Sequence, residues 1–152
     1  MNIDVKRFAN LLSKLGVTTL SMADAEAIVG IGRLAVDADK KEDEDELSLY
    51  DVLAREVCKL AGADAETLQG NEAQQPRGAD DKEQRMLENA DRLKAQPQRE
   101  LAYVIAYMLT IADLDIRRSE DKFLAALSDA LLIGEERMEP IIALINDAIV
   151  PD

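Results

Sequence analysis

The chain has 152 residues, 18 Lys plus Arg against 31 Asp plus Glu, a net charge of −13 and no histidine. Its length supports one ordinary globular domain that buries roughly two thirds of its unfolded surface, and its charge opposes binding to nucleic acid or anionic lipid through a basic face. Without imidazole, Ser-His and Cys-His nucleophiles, His-ligated zinc and Glu-x-x-His di-iron sites are excluded, which leaves carboxylates, lysines and one thiol for chemistry.

Apolar residues recur at helical spacing almost throughout, and aromatic residues make up only 3%, so strands are poorly signalled. Ile3, Phe8, Leu11, Leu12 and Leu15 predict a first helix that Gly16 closes in a left-handed cap. Ser21 is a good N-cap for a second, running through Ile28, Ile31, Leu34 and Ala38 into the acidic stretch 37–46. A third passes through Leu49, Leu53, Val57 and Leu60 to a cap at Gly62. Residues 63–79 read as a polar linker, with polar character continuing to Gln84. Met86, Leu87, Ala90 and Leu93 mark a fourth helix, and Pro97 suits the first turn of a fifth. From Leu101 to Ala112 that fifth helix is apolar on most faces, the pattern of a central buried helix. Ser119 is the expected cap of a sixth through Phe123, Leu127 and Leu131, with Gly134 as its stop. A seventh, with Pro140 near its start, carries Ile141, Ile142, Leu144, Ile145 and Ile149. The fold expected is all-α, a single-domain bundle of about seven helices over 1–152.

A shift of 74 residues lays the second and third helices on the fifth and sixth, matching Ile31 with Ile105, Ala38 with Ala112, Asp39 with Asp113, Glu46 with Glu120 and Leu53 with Leu127. Apolar types also agree at Leu34 with Met108, Leu49 with Phe123 and Val57 with Leu131. The bundle is therefore read as two pseudo-symmetric helical hairpins, at about 21–62 and 97–134, each with an acidic connection. In each, an Asp ends the incoming helix and a Glu opens the outgoing one. The helix dipole favours that Glu and disfavours that Asp, so a partner is needed to relieve Asp39 and Asp113.

Carboxylates about 4 Å apart repel by roughly 1 to 4 kcal/mol, and a hard cation that prefers oxygen, Ca²⁺ or Mg²⁺, neutralises them. The candidate metal ligands are Asp39, Glu46, Asp113 and Glu120, with Asp37 and Asp115 beside them. Neither connection is an EF-hand. Counted from Asp37, the invariant glycine position is Glu42 and the twelfth is Ser48; from Asp113 these are Arg118 and Leu124. The competing account makes Glu46 and Glu120 acceptors of backbone N–H groups, and Asp43, Glu44 and Asp45 a solvated face. Cys58 reads as a small buried apolar residue, and Met86, Met108 and Met138 as core filling.

The stretch Ile105 to Asp113, followed by Glu120, Phe123, Leu124 and the ending Leu131-Leu132-Ile133-Gly134, resembles the signature of TerB-like domains, the tellurite-resistance protein B family. The earlier copy, Leu34 to Glu46 and on to Gly62, is similar but less close. The resemblance implies an all-helical domain of two related hairpins, with carboxylates proposed for metal at the matching positions Asp39, Glu46, Asp113 and Glu120. Two positions depart from the pattern: the glycine that commonly follows Ala-Asp is Lys40 in one copy and Leu114 in the other.

The expected function is non-enzymatic: divalent-metal binding at paired acidic connections, with no organic cofactor, within a stress-response or membrane-associated complex. The alternative is an acidic module that docks a basic protein without metal. A carboxylate-pair enzyme is disfavoured by five aromatic residues and no Trp to wall a substrate groove. Protein partners are expected and nucleic acid is not; a homodimer stays open. The lone Cys58 fits a reducing compartment. Met1 to Arg7 lacks a secretory signal, and no apolar run approaches the ~20 residues that cross a bilayer, so a cytoplasmic protein with no membrane insertion is expected.

Overall fold

The computed structural model describes residues 2–3, 5–37, 44–62, 81–112 and 118–150, with side chains over 6–36, 48–62, 84–110 and 122–148. Its elements are β1 (Asn2–Ile3), α1 (Val5–Leu15), α2 (Met22–Asp37), α3 (Glu44–Ala61), α4 (Asp81–Arg92), α5 (Gln96–Ala112), α6 (Arg118–Ala130), α7 (Glu135–Ala148) and β2 (Ile149–Val150). The protein is all-α. Its two short strands pair antiparallel, Asn2 with Val150 and Ile3 with Ile149.

Local chemistry sets several helix ends where the sequence puts them. The Asp24 N–H donates to Ser21 Oγ at 3.1 Å, so Ser21 caps α2. Gly16 and Gly62 take left-handed backbone, φ +83° and +65°, just past α1 and α3. At Gly16 the Val17 N–H also reaches the Leu12 carbonyl at 2.9 Å, which satisfies an otherwise orphaned acceptor.

The first, sixth and seventh helices differ from expectation: Ile3 and Ile149, read as residues of the first and seventh, pair in the two short strands instead. α6 begins at Arg118, so Ser119 is a helical residue and not its cap. It stops before Gly134, at a left-handed Leu132 with φ +59°. There the Leu132 N–H bonds Asp129 O at 3.1 Å and the Ile133 N–H bonds Ser128 O at 3.0 Å, a Schellman closure made without glycine. Gly134 instead serves the next helix, its carbonyl accepting from the Arg137 N–H at 3.0 Å. Pro140 lies inside α7 rather than near its start, where it removes one backbone donor from the ladder. α4 begins at Asp81, so the segment read as polar to Gln84 is helical at its end, whereas the linker 63–79 lies outside the described residues.

The core gathers on α2 and α5, which pack against one another. α5 buries Leu101 to Ala106, Met108 and Leu109, and so is the central helix its composition predicts. α2 buries Ala25, Ala27, Ile28, Val29, Ile31, Leu34, Ala35 and Val36. A backbone bond from the Leu20 N–H to Leu60 O, 3.1 Å, holds the start of α2 to the end of α3, so these two helices form a hairpin. α4 crosses α2 in the opposite sense: Arg92 Nη2 meets Glu26 Oε2 at 2.9 Å, while Asn89 lies against Gly30. α6 packs on α4 and α5, and α7 on α1 and α5. No described helix is long and apolar enough to cross a membrane.

Candidate functional site

Two pairs of helix starts stand 74 residues apart. α2 and α5 begin at 22 and 96, and α3 and α6 at 44 and 118, the same interval in both cases. Matched positions share burial as well: Ile31 and Ile105, Leu34 and Met108, Leu53 and Leu127, and Val57 and Leu131 are all buried, and Leu49 and Phe123 are both half-buried. Glu46 and Glu120 therefore each stand third in an outgoing helix, in the first turn that the dipole makes hospitable to a carboxylate. Asp37 is the last residue of α2. Asp39, Asp113 and Asp115 lie outside the described residues, and of Asp37, Glu46 and Glu120 only the backbone is described.

The contact between α2 and α5 limits how far apart the two acidic connections begin. A β-carbon added at Gly32 would stand 3.4 Å from Ile105 Cγ2 and 3.5 Å from Leu109 Cδ1, so the helices touch there. Beyond that contact α2 runs five more residues, to Asp37, and α5 three to seven, to Ala112. At 1.5 Å per residue and axes about 8 Å apart, the two ends lie within about 20 Å of one another whichever way the helices run. Neither end has a basic residue in its last turn, unlike α1, α3 and α4, which close on Lys14, Lys59 and Arg92. The negative ends of both dipoles thus have no compensating cation in their own last turn.

Two guanidiniums stand near the end of α2. Arg33 lies over the Tyr50 ring, 6.0 Å from its centroid. Arg85 is buried on α4, and because that helix runs antiparallel to α2 from the Gly30–Asn89 approach, Arg85 falls toward the end of α2. Neither was singled out by sequence pattern, since an isolated Arg in an amphipathic helix looks like a solvated one.

Elsewhere the buried polar groups are structural. Glu100 on α5, 3% exposed, takes Arg137 Nε at 3.0 Å and Nη2 at 2.7 Å on its two oxygens, with Gln96 Nε2 at 2.9 Å. The hydrogen bond to Glu100 raises the Arg137 pKa above its ordinary value. Thr110 returns its hydroxyl to the Ala106 carbonyl at 2.7 Å. Burial, aided by neighbouring Tyr107, pushes the Tyr103 hydroxyl up to about 12. Cys58 is buried, in keeping with a packing role. Among the described residues no group of three or more His, Cys, Asp or Glu is placed to hold a metal ion. Comparison with protein-family models, with curated proteins and with solved structures gives no match.

Proposed function

We propose that this chain is a non-enzymatic, TerB-like acidic domain that takes up a divalent cation, Ca²⁺ or Mg²⁺, at its paired acidic connections. It works in the cytoplasm within a stress-response or membrane-associated complex, of the kind the resemblance to tellurite-resistance proteins implies. The observation that carries the reading is the recurrence of both helix starts after 74 residues, which gives Glu46 and Glu120 equivalent places in their helices. The proximity of the two incoming helix ends supports it, and so does the lack of a cation in either last turn. Oxygen-only donors and the absence of histidine make the ion a hard one.

Calorimetric titration and thermal melting with Ca²⁺, Mg²⁺ and Mn²⁺ test this reading. Saturable heat and a raised melting temperature are expected, both lost in the variant Asp39→Asn/Glu46→Gln/Asp113→Asn/Glu120→Gln. No heat and no shift at millimolar metal sinks the metal part.

Arg33 and Arg85 favour a second reading, in which the protein supplies its own cations at the end of α2 and the remaining acid docks a basic protein partner. Association would then weaken steeply with salt and ignore divalent metal. Pull-down at low and high salt, with and without Ca²⁺, separates the two.

A further inference from the structure

α1 departs from the charge of the chain around it. Val5–Leu15 carries Lys6, Arg7 and Lys14 and no Asp or Glu, in a protein of net charge −13. Because Phe8, Leu11, Leu12 and Leu15 are buried, these cations are confined to the outer face. Arg7, Asn10 and Lys14 follow one another at spacings of three and four, which aligns them on a stripe two turns, about 10 Å, long. That stripe forms one wall of a cavity of about 390 Å³. The facing wall is the last turn of α7, with Asn146 and Asp147, and Leu11 and Leu144 supply apolar lining.

The cavity is held in shape by the rest of the fold. Pairing of β1 with β2 ties the start of α1 to the end of α7. Ile141, Ile145 and Ala148 anchor α7 on the core, so both walls are fixed before any ligand arrives. The volume falls within the range of small-molecule sites.

We propose that this groove binds a small organic anion, a carboxylate or a phosphate ester, with its charge set against Arg7 and Lys14. A guanidinium meets two oxygens of such a group as a fork, an ammonium acts as a point charge, and the Asn10 and Asn146 amides donate to the remaining oxygens. Leu11 and Leu144 give the carbon part of the ligand a surface to cover, which favours an organic anion over an inorganic one. Asp147 repels an anion held at its end of the groove, so it limits how much charge the site accepts. Carboxylates more than about 8 Å away are screened at physiological salt, whereas the groove cations act at contact.

The test is an NMR titration that follows the side-chain amides of Asn10 and Asn146, with citrate as the carboxylate probe and glycerol 3-phosphate as the phosphate-ester probe. Saturable shifts at both amides with either probe are expected, and the stronger probe identifies the preferred head group. Affinity should fall at least about tenfold in Arg7→Gln/Lys14→Gln, rise in Asp147→Asn and stay unchanged in Lys59→Gln, a surface control on α3. Arg7 and Lys14 are exposed, so circular dichroism should show these variants folded. Absence of shifts, or shifts equal in wild type and Arg7→Gln/Lys14→Gln, overturns the proposal.

Discussion

Gly30 and Gly32 sit two residues apart on α2 and meet different neighbours. A β-carbon on Gly30 would stand 2.9 Å from Asn89 Nδ2, and Asn89 is buried, so it has little room to yield. On Gly32 the nearest atoms lie at 3.4 and 3.5 Å, which is ordinary contact. Since alanine is favoured over glycine inside a helix by about 0.5–1 kcal/mol, Gly32→Ala should stabilise by up to that amount. Gly30→Ala should destabilise by about 1–3 kcal/mol, the cost of overpacking a filled interior. Urea midpoints moving in opposite directions would bear this out, and a common direction would contradict it. Tyr103 gives a residue-scale prediction in pH. It is 4% exposed, with its hydroxyl pushed up to about 12, against about 10 in the unfolded chain. Between those values the unfolded state has released a proton that the folded state keeps, so stability falls as pH rises. The contribution is intact below about pH 10 and lost as pH passes about 12, amounting to roughly 2–3 kcal/mol. Tyr103→Phe should unfold with a visibly flatter dependence over that window; identical slopes would remove Tyr103 as the cause.

Between elements, the pair that joins α5 to α7 is asymmetric. The Glu100 side chain is 3% exposed and that of Arg137 39%. Truncating Arg137 leaves a buried carboxylate with Gln96 alone, whereas neutralising Glu100 leaves a guanidinium that water can reach. Arg137→Met is therefore expected to lower the melting temperature at least about twice as far as Glu100→Gln, and thermal melts showing the reverse order would refute the asymmetry. Short-range chemistry made many element ends readable in advance. Ser21, Gly16 and Gly62 each act on residues three to five positions away, and each stands where the sequence placed it. The end of α6 was not readable, because burial decides it: Leu131 is the last fully buried residue of its stripe, and the chain turns directly after it at Leu132, 75% exposed, rather than waiting for Gly134. The groove between α1 and α7 was hidden for another reason. Its walls come from opposite ends of the described chain, and no local pattern announces that they meet, although the unbroken positive charge of α1 was there to be noticed.

At the scale of the whole molecule, a charge of −13 acts in two separable ways. Like charges spread over the surface destabilise the folded chain, and any salt relieves this by screening. Carboxylates gathered at one place would be relieved further by a bound ion, and that relief depends on the ion's identity rather than on ionic strength. Replacing Asp39, Glu46, Asp113 and Glu120 with their amides removes four charges, taking the net from −13 to −9. In low salt without divalent metal this variant should therefore melt above the wild type, since it carries less repulsion. Adding Ca²⁺ in place of Na⁺ at constant ionic strength should then raise the wild type alone. At a hundredfold excess over the dissociation constant the gain is about 2.7 kcal/mol, or roughly 5–10 °C for a domain of this size. The two melting curves should thus exchange order on addition of metal. A wild type and variant that respond equally to Ca²⁺ would instead assign the whole effect to screening, and leave the acidic connections as a solvated face that keeps the bundle apart from its neighbours.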